Sequence, residues 1–308
     1  MAKSTVGKFS GRSAVVLSAG AMLLASSFWA APVKAADATA PASAQAPASS
    51  APSAPLAYIK LEALFAEGVY VKLDQKNTAH PGSAHTYGVR AGAVYSLPRA
   101  GILMVPSITL AKTHTEGSNP FATIDSDARI KGGALKLISP ISPGFFGYVG
   151  IGGGVGNQDL VFNVVVPSNT TLHNYWAYIG ANKIVYVAQN FDVRVSDQFA
   201  YRYTNAEFDP TNTPASGIFH TLSNTVGVTG AWHVTSETRL STKVSWTSLF
   251  ATHEMIGEVS PDRNFATVSL GASQKISRSL SLYGSIGRRL FDSKRDVTSA
   301  KIGVMARF

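Results

Sequence analysis

The sequence predicts an all-β protein, an antiparallel up-and-down transmembrane β-barrel of about twelve strands, on three observations. Apolar and polar residues alternate with period two from Tyr58 to Phe308, without a convincing helix pattern. The alternating runs often extend over 12–18 residues. Strands of soluble proteins are typically about 5–6 residues long, whereas a membrane strand needs about 9–11 for the hydrocarbon and more to project beyond it. Finally, the connections alternate in length. Short turns begin at Pro98, Pro140, Gln189, Ser236 and Ser277, at intervals of 42, 49, 47 and 41 residues, and each interval holds one hairpin. Between them lie longer polar stretches near 74–84, 113–120, 157–171, 205–217, 252–263 and 291–296. Short turns would then lie on one side of a membrane and longer loops on the other.

Composition agrees with this class. The 308 residues are 45% hydrophobic and 15% charged, with a mean hydropathy of +0.09, which excludes a disordered chain. Cysteine is absent, so disulfides, thiolate metal sites, cysteine nucleophiles and a lipid-anchored cysteine are excluded. Beyond the first 35 residues no apolar run reaches the ~18 residues that a membrane helix requires.

Three regions follow in order. Residues 1–35 read as a secretory signal: Lys3, Lys8 and Arg12 form a basic start, AVVLSAGAMLLASSFWAA is the apolar stretch, and Val33-Lys34-Ala35 fits a cleavage site. Removing it leaves 23 basic residues against 18 acidic ones, a charge of +5, so a nucleic-acid partner is not expected. Residues 36–56 are dominated by Pro, Ala and Ser and read as a disordered tether. Residues 57–308 form the barrel. The expected strands are 58–73, 85–97, 101–112, 121–138, 144–162, 172–188, 190–204, 218–235, 238–251, 263–276, 279–291 and 296–308, with Pro106 an irregularity in the third. An even count puts both termini at the same side of the membrane. Trp176 and Tyr178 could face either way.

The alternation assigns faces. Phe191, Val193, Val195, Phe199, Tyr201 and Tyr203 share one face, and Asp192, Arg194, Ser196, Gln198, Arg202 and Thr204 the other. Leu240, Val244, Trp246 and Phe250 likewise oppose Arg239, Ser241, Lys243, Ser245 and Thr247. The apolar face must meet lipid, so the polar face belongs to the lumen. Asp197 conflicts with this, falling on the apolar face between Val195 and Phe199. A bulge that turns it inward is the expected resolution.

With its signal, its loop asymmetry and the ending KIGVMARF, the chain resembles Gram-negative outer-membrane β-barrel proteins, a small porin-like superfamily. The terminal Phe308 and the alternation before it are similar to the recognition signal of the outer-membrane assembly machinery. The resemblance implies an outer-membrane location, with outer-membrane lipids and lipopolysaccharide, that machinery and small solutes as partners. It implies neither a cofactor nor a metal.

The expected lumen is basic. Lys60, Lys72, Arg90, Arg129, Lys131, Arg194, Arg202, Arg239, Lys243, Arg289, Lys301 and Arg307 are assigned inward, against Glu62, Asp74, Asp125, Asp127 and Asp192. Such cations line an anion-preferring pore, so the functional reading is passive diffusion of small, preferentially anionic solutes. The alternatives are a structural or adhesive barrel that acts through its loops, with the charges filling a plugged interior, and a lipid-modifying hydrolase. No catalytic residue is assigned: the barrel region has no H-x-S pair, and His220 and Ser223 should face opposite sides. Gly150, Gly152, Gly154 and Gly156 recur at period two. They lack the G-K-[ST] ending of a phosphate loop and are read as room for strand curvature or bulky neighbours, or else as a smooth lumen wall.

Overall fold

The computed structural model describes residues 59–76, 82–119, 122–162, 166–208, 217–253 and 262–308. The segments read as signal and tether, and parts of the connections, among them most of the loop after Phe208, lie outside the described residues. Twelve antiparallel strands close into a barrel: β1 (Lys60–Gln75), β2 (Gly82–Leu97), β3 (Ile102–Asn119), β4 (Ala122–Ser142), β5 (Phe145–Phe162), β6 (Val166–Ala188), β7 (Phe191–Phe208), β8 (Gly217–His233), β9 (Thr238–His253), β10 (Asn264–Lys275), β11 (Leu280–Leu290) and β12 (Arg295–Arg307). Each strand pairs with its sequence neighbours, and β1 pairs with β12 from Ala63↔Arg307 to Gln75↔Arg295. Closure leaves no unpaired edge, the condition for a sheet to cross hydrocarbon.

All five connections at one end, here the turn end, are two to four residues long. Gly101 and Gly144 adopt φ of +64° and +71° there, a conformation that costs glycine little. Phe308 lies at the same end, its N–H donating to the Glu62 carbonyl. The other end, the loop end, holds the longer connections after β1, β7 and β9, and short ones of two to four residues after β3, β5 and β11. There several strands run further than their apolar pattern: β3 continues to Asn119 and β6 begins at Val166. These extensions are polar and rich in Thr, which suits a pleated surface whether or not it touches lipid.

The outer wall is apolar, with Ile108, Ile179, Ile286 and Ile302 each more than half exposed. Inside, the turn half of the barrel holds an apolar cluster: Ala63, Phe65, Val94, Val105, Ile138, Tyr148, Tyr178 and Ala200, with Trp176 and Met305 against it. Trp176 and Tyr178 therefore both face the lumen. The loop half holds a second apolar cluster, Val69, Val71, Leu73, Ala84 and Val297, and small polar groups in hydrogen-bonded pairs. Gln158 Nε2 donates to Ser126 Oγ (2.7 Å), Thr204 Oγ1 to Asn174 Oδ1 (2.7 Å), and the Thr86 and Thr113 hydroxyls bond each other (2.9 Å). Pro106 sits where the β2–β3 ladder is interrupted, between Gly92↔Ser107 and Tyr95↔Met104, so its missing N–H breaks no regular pair there.

The glycine stripe of β5 makes room for bulky neighbours. A Cβ at Gly150 would lie 2.2 Å from the Tyr178 ring, and one at Gly152 2.3 Å from the Trp176 ring. At Gly156 the obstacle is backbone, the Arg129 carbonyl oxygen at 2.6 Å. That carbonyl belongs to the β4 ladder and cannot withdraw without breaking it. Gly156→Ala should therefore destabilise the folded barrel by about 1–3 kcal/mol, the usual range for overpacking. Gly68→Ala, whose nearest neighbour is 4.0 Å away, should stay within about 0.5 kcal/mol of wild type. Urea titrations of both variants check the contrast.

Candidate functional site: the basic lumen

Three carboxylates organise most of the lumen charge. Glu67 on β1 faces inward opposite Arg90. Its Oε1 lies 3.4 Å from the Arg90 guanidinium and its Oε2 3.7 Å from Lys301 Nζ, and the Tyr283 hydroxyl donates to Oε2 at 3.0 Å. Gly303 admits the Tyr283 ring, since a Cβ there would come within 2.6 Å of it. Towards the turn end, Asp192 accepts from Arg194 Nε (2.9 Å) and Arg239 (2.8 Å), with His233 Nε2 at 3.2 Å. At the loop end, Asp292 is fully buried and binds Arg289 at 2.9 Å. Its Oδ1 also accepts the N–H groups of Lys294 and Arg295. Asp262 beside it is held below the usual carboxylate range by the Ser293 amide.

Two lumen lysines stand apart from these centres. Lys136 on β4 lies 4.4 Å from the centroid of the Tyr148 ring, a cation–π contact. Lys243 on β9 lies along the wall where Gly227 leaves space. Neither has an acidic partner among the described residues. Lys136 is repelled by Arg90 and Lys243, Lys243 by Lys301, and Arg202 by Arg289.

The cations expected inside divide into three groups. Arg90, Arg194, Arg202, Arg239, Lys243, Arg289, Lys301 and Arg307 line the lumen, with the charged heads of several withdrawn from water. Lys60 stands at the turn-end rim, half exposed and 3.1 Å from Glu62. Arg129 and Lys131 are on the outer wall, and the expectation that they line the pore is corrected. Lys131 stands in register with Leu110 and Val155, both exposed. Lys72, Asp74, Asp125 and Asp127 are likewise outside, in exposed pairs such as Lys72–Asp74 (2.9 Å) and Lys112–Asp127 (3.2 Å).

Two local causes account for the misassignments. A register shift between Leu61 and Ala63 turns the odd residues of β1 inward, so Glu67 replaces Asp74 as the lumen acid, while Glu62 stays at the turn-end rim, accepting from Ser96 Oγ at 2.6 Å. In β4 a single face meets two solvents. Its odd positions carry Asp125, Asp127, Arg129 and Lys131 near the loop end and then Leu135 and Leu137 in the lipid zone. The second set, not the first, reveals which side faces lipid, and it identifies Lys136 as inward. Asp197 is a further correction. Its strand pairs without interruption from Phe191 to Ala206 on β8, and no bulge rotates it inward. It stays on the outer wall.

No family model matches the chain, and no curated protein resembles it in sequence. Solved structures match its shape. The translocator domain of the autotransporter NalP from Neisseria meningitidis superposes with a TM-score of 0.62 at 12% identity, covering 81% of this chain and 89% of that one. The transport unit of the autotransporter AIDA-I from Escherichia coli gives 0.65 at 10% identity, over 80% and 90%. An outer-membrane channel from Pseudomonas putida gives 0.51 at 9% identity, over 84% and 100%. The fold is that of outer-membrane β-barrels. At these identities the likeness concerns architecture alone.

Proposed function

We propose that this protein is an outer-membrane channel for small solutes that favours anions. One observation carries the reading: among the described residues, the middle of the lumen holds Arg90, Lys136, Lys243 and Lys301 with one acid, Glu67, which contacts Arg90 and Lys301. Charges of one sign between low-dielectric walls focus the field and raise the local concentration of counter-ions. The turn end then faces the periplasm and the loop end the outside, as the short turns and long loops of such barrels do. Arg129 and Lys131, at the loop-end limit of the apolar wall, are placed to meet phosphates of outer-leaflet lipid or lipopolysaccharide. An apolar groove supports this. It is lined by Ile302, Tyr87, Val89 and Leu110, and it ends at those two cations. In this reading the barrel carries no catalytic role and no cofactor, and Phe308 serves assembly.

A second reading, a structural barrel acting through its loops, is favoured by the filling of the interior. Arg90, Lys136, Glu67 and Tyr148 are each less than 9% exposed, so side chains occupy much of the lumen at their level. Liposome swelling separates the two. A channel admits the sodium salt of a small organic acid faster than a neutral sugar of equal size, whereas a closed barrel admits neither.

A further inference from the structure

The lumen wall has two unlike halves. On β1 every inward residue from Ala63 to Leu73 is buried, Phe65, Val71 and Leu73 among them. That half carries the bulky side chains, with Tyr148, Tyr178 and Trp176 in one cluster with Phe65 and Val105. On β10 the inward residues Thr267, Ser269, Gly271 and Ser273 are all partly open. The neighbouring strands repeat this pattern. Thr225 and Thr229 on β8 pair with Thr247 and Lys243 on β9, and Lys243 pairs with Ser269. From Thr221 to Thr229 on β8 and from Ser241 to Thr247 on β9, no inward side chain except Lys243 is larger than Thr. Side chains this short do not reach the barrel axis, so an open strip runs along β8, β9 and β10 beside the packed half. Lys243 is the exception within it. Protein encloses its ammonium group almost completely, yet it makes neither hydrogen bond nor ion pair among the described residues. A cation withdrawn from bulk water without an acceptor is unfavourable, so the position calls for an anion. Gly227 gives the lysine stem its course, since a Cβ there would lie 3.2 Å from Lys243 Cε.

We propose that solutes cross along this strip alone, and that Lys243 with the hydroxyl groups of Thr229 and Ser269 forms its binding site for small oxyanions such as inorganic phosphate; the proposal rests on the channel reading above. Thr229 and Ser269 flank Lys243 in its own ladder row, and hydroxyl groups can donate as well as accept. Three donors on adjacent strands suit an anion with several acceptor oxygens. Along these stretches the strip offers no aromatic or bulky aliphatic surface, so an apolar solute finds little to hold it. Lys136, by contrast, is buried against Tyr148 in the packed half and adds its charge from outside the passage.

Because the chain has no cysteine, single cysteines report the route. Ser269→Cys lies in the strip, and Thr113→Cys lies in the packed half, where Thr113 is fully buried. Protein purified from membranes is treated, in planar bilayers and in detergent, with a water-soluble, negatively charged methanethiosulfonate. The reagent should label Ser269→Cys and abolish its current, and should leave Thr113→Cys unlabelled and conducting. A Thr113→Cys variant labelled as fast as Ser269→Cys, or a Ser269→Cys variant that resists labelling, overturns the passage. Sodium phosphate should slow the labelling of Ser269→Cys, and sodium chloride of equal ionic strength should not. Adding Lys243→Gln should raise the phosphate concentration needed for half protection roughly tenfold, the weight of one charge-assisted hydrogen bond. Absent protection, or protection unchanged by Lys243→Gln, overturns the oxyanion site. Labelling is read by mass spectrometry and needs no current. A wild-type barrel that never conducts therefore removes the channel reading, whereas labelling and protection still decide the strip and its site.

Discussion

Replacing Asp192 by alanine should destabilise the barrel by about 3–5 kcal/mol, the cost of breaking a withdrawn ion pair and leaving its charge behind. The carboxylate and the Arg239 guanidinium are each about 10% exposed, and Arg194 and His233 share the same oxygens. Without Asp192, two guanidinium groups from β7 and β9 face each other with no anion between them. Arg239 cannot reach water without abandoning its place in the packed turn half, while Arg194 is already a quarter exposed. A urea titration in detergent micelles, followed by tryptophan fluorescence, measures the change. The exposed Lys60–Glu62 pair at the rim provides the comparison. Its loss should cost about 0–1 kcal/mol, as solvent-exposed pairs generally do. Equal effects for the two acids would mean that the Asp192 cluster is open to water.

The second large effect is on ion selectivity. Lys136→Gln/Lys243→Gln removes two basic groups that have no acidic partner among the described residues and keeps polarity and approximate length. The zero-current potential across a salt gradient should move towards cation preference. Lys243→Gln alone should move it part of the way. Unlike the loss of Asp192, these replacements relieve repulsion among Arg90, Lys136, Lys243 and Lys301, so stability should hold or rise. Arg129→Gln/Lys131→Gln removes the same number of charges from the outer wall and should leave selectivity unchanged. That contrast separates a lumen effect from a general effect of net charge.

The architecture was largely legible in the sequence because a membrane wall imposes the same period on every strand. Alternation and turn spacing locate twelve strands, and the ends of β5, β9, β10 and β11 fall within two residues of their expected positions. The long-loop ends were less legible. Above the lipid a strand no longer needs an apolar face, so the polar tail of β3 reads as loop although its ladder with β4 continues to Asn119↔Ala122. Facing was legible where both faces keep one solvent along the whole strand. On β7 and β9 this placed Asp192, Arg194, Arg202, Arg239 and Lys243 in the lumen. It failed where one residue shifts the register, as near Leu61, or where a face passes from water to lipid, as at Arg129 and Lys131. Lys136 was recoverable from its neighbours Leu135 and Leu137. Glu67 was not, because the shift that turns it inward leaves no mark in composition. The conflict at Asp197 was visible from the alternation, but the alternation could not say that the residue remains on the wall.

The most direct test of the central claim is the zero-current potential of the wild-type barrel in a planar bilayer, with unequal potassium chloride concentrations on its two sides. Stable single channels are expected, with a potential whose sign is set by chloride crossing faster than potassium and a preference that grows as salt is lowered and screening weakens. A potential of the opposite sign, or a correctly folded barrel that inserts and never conducts, would contradict it.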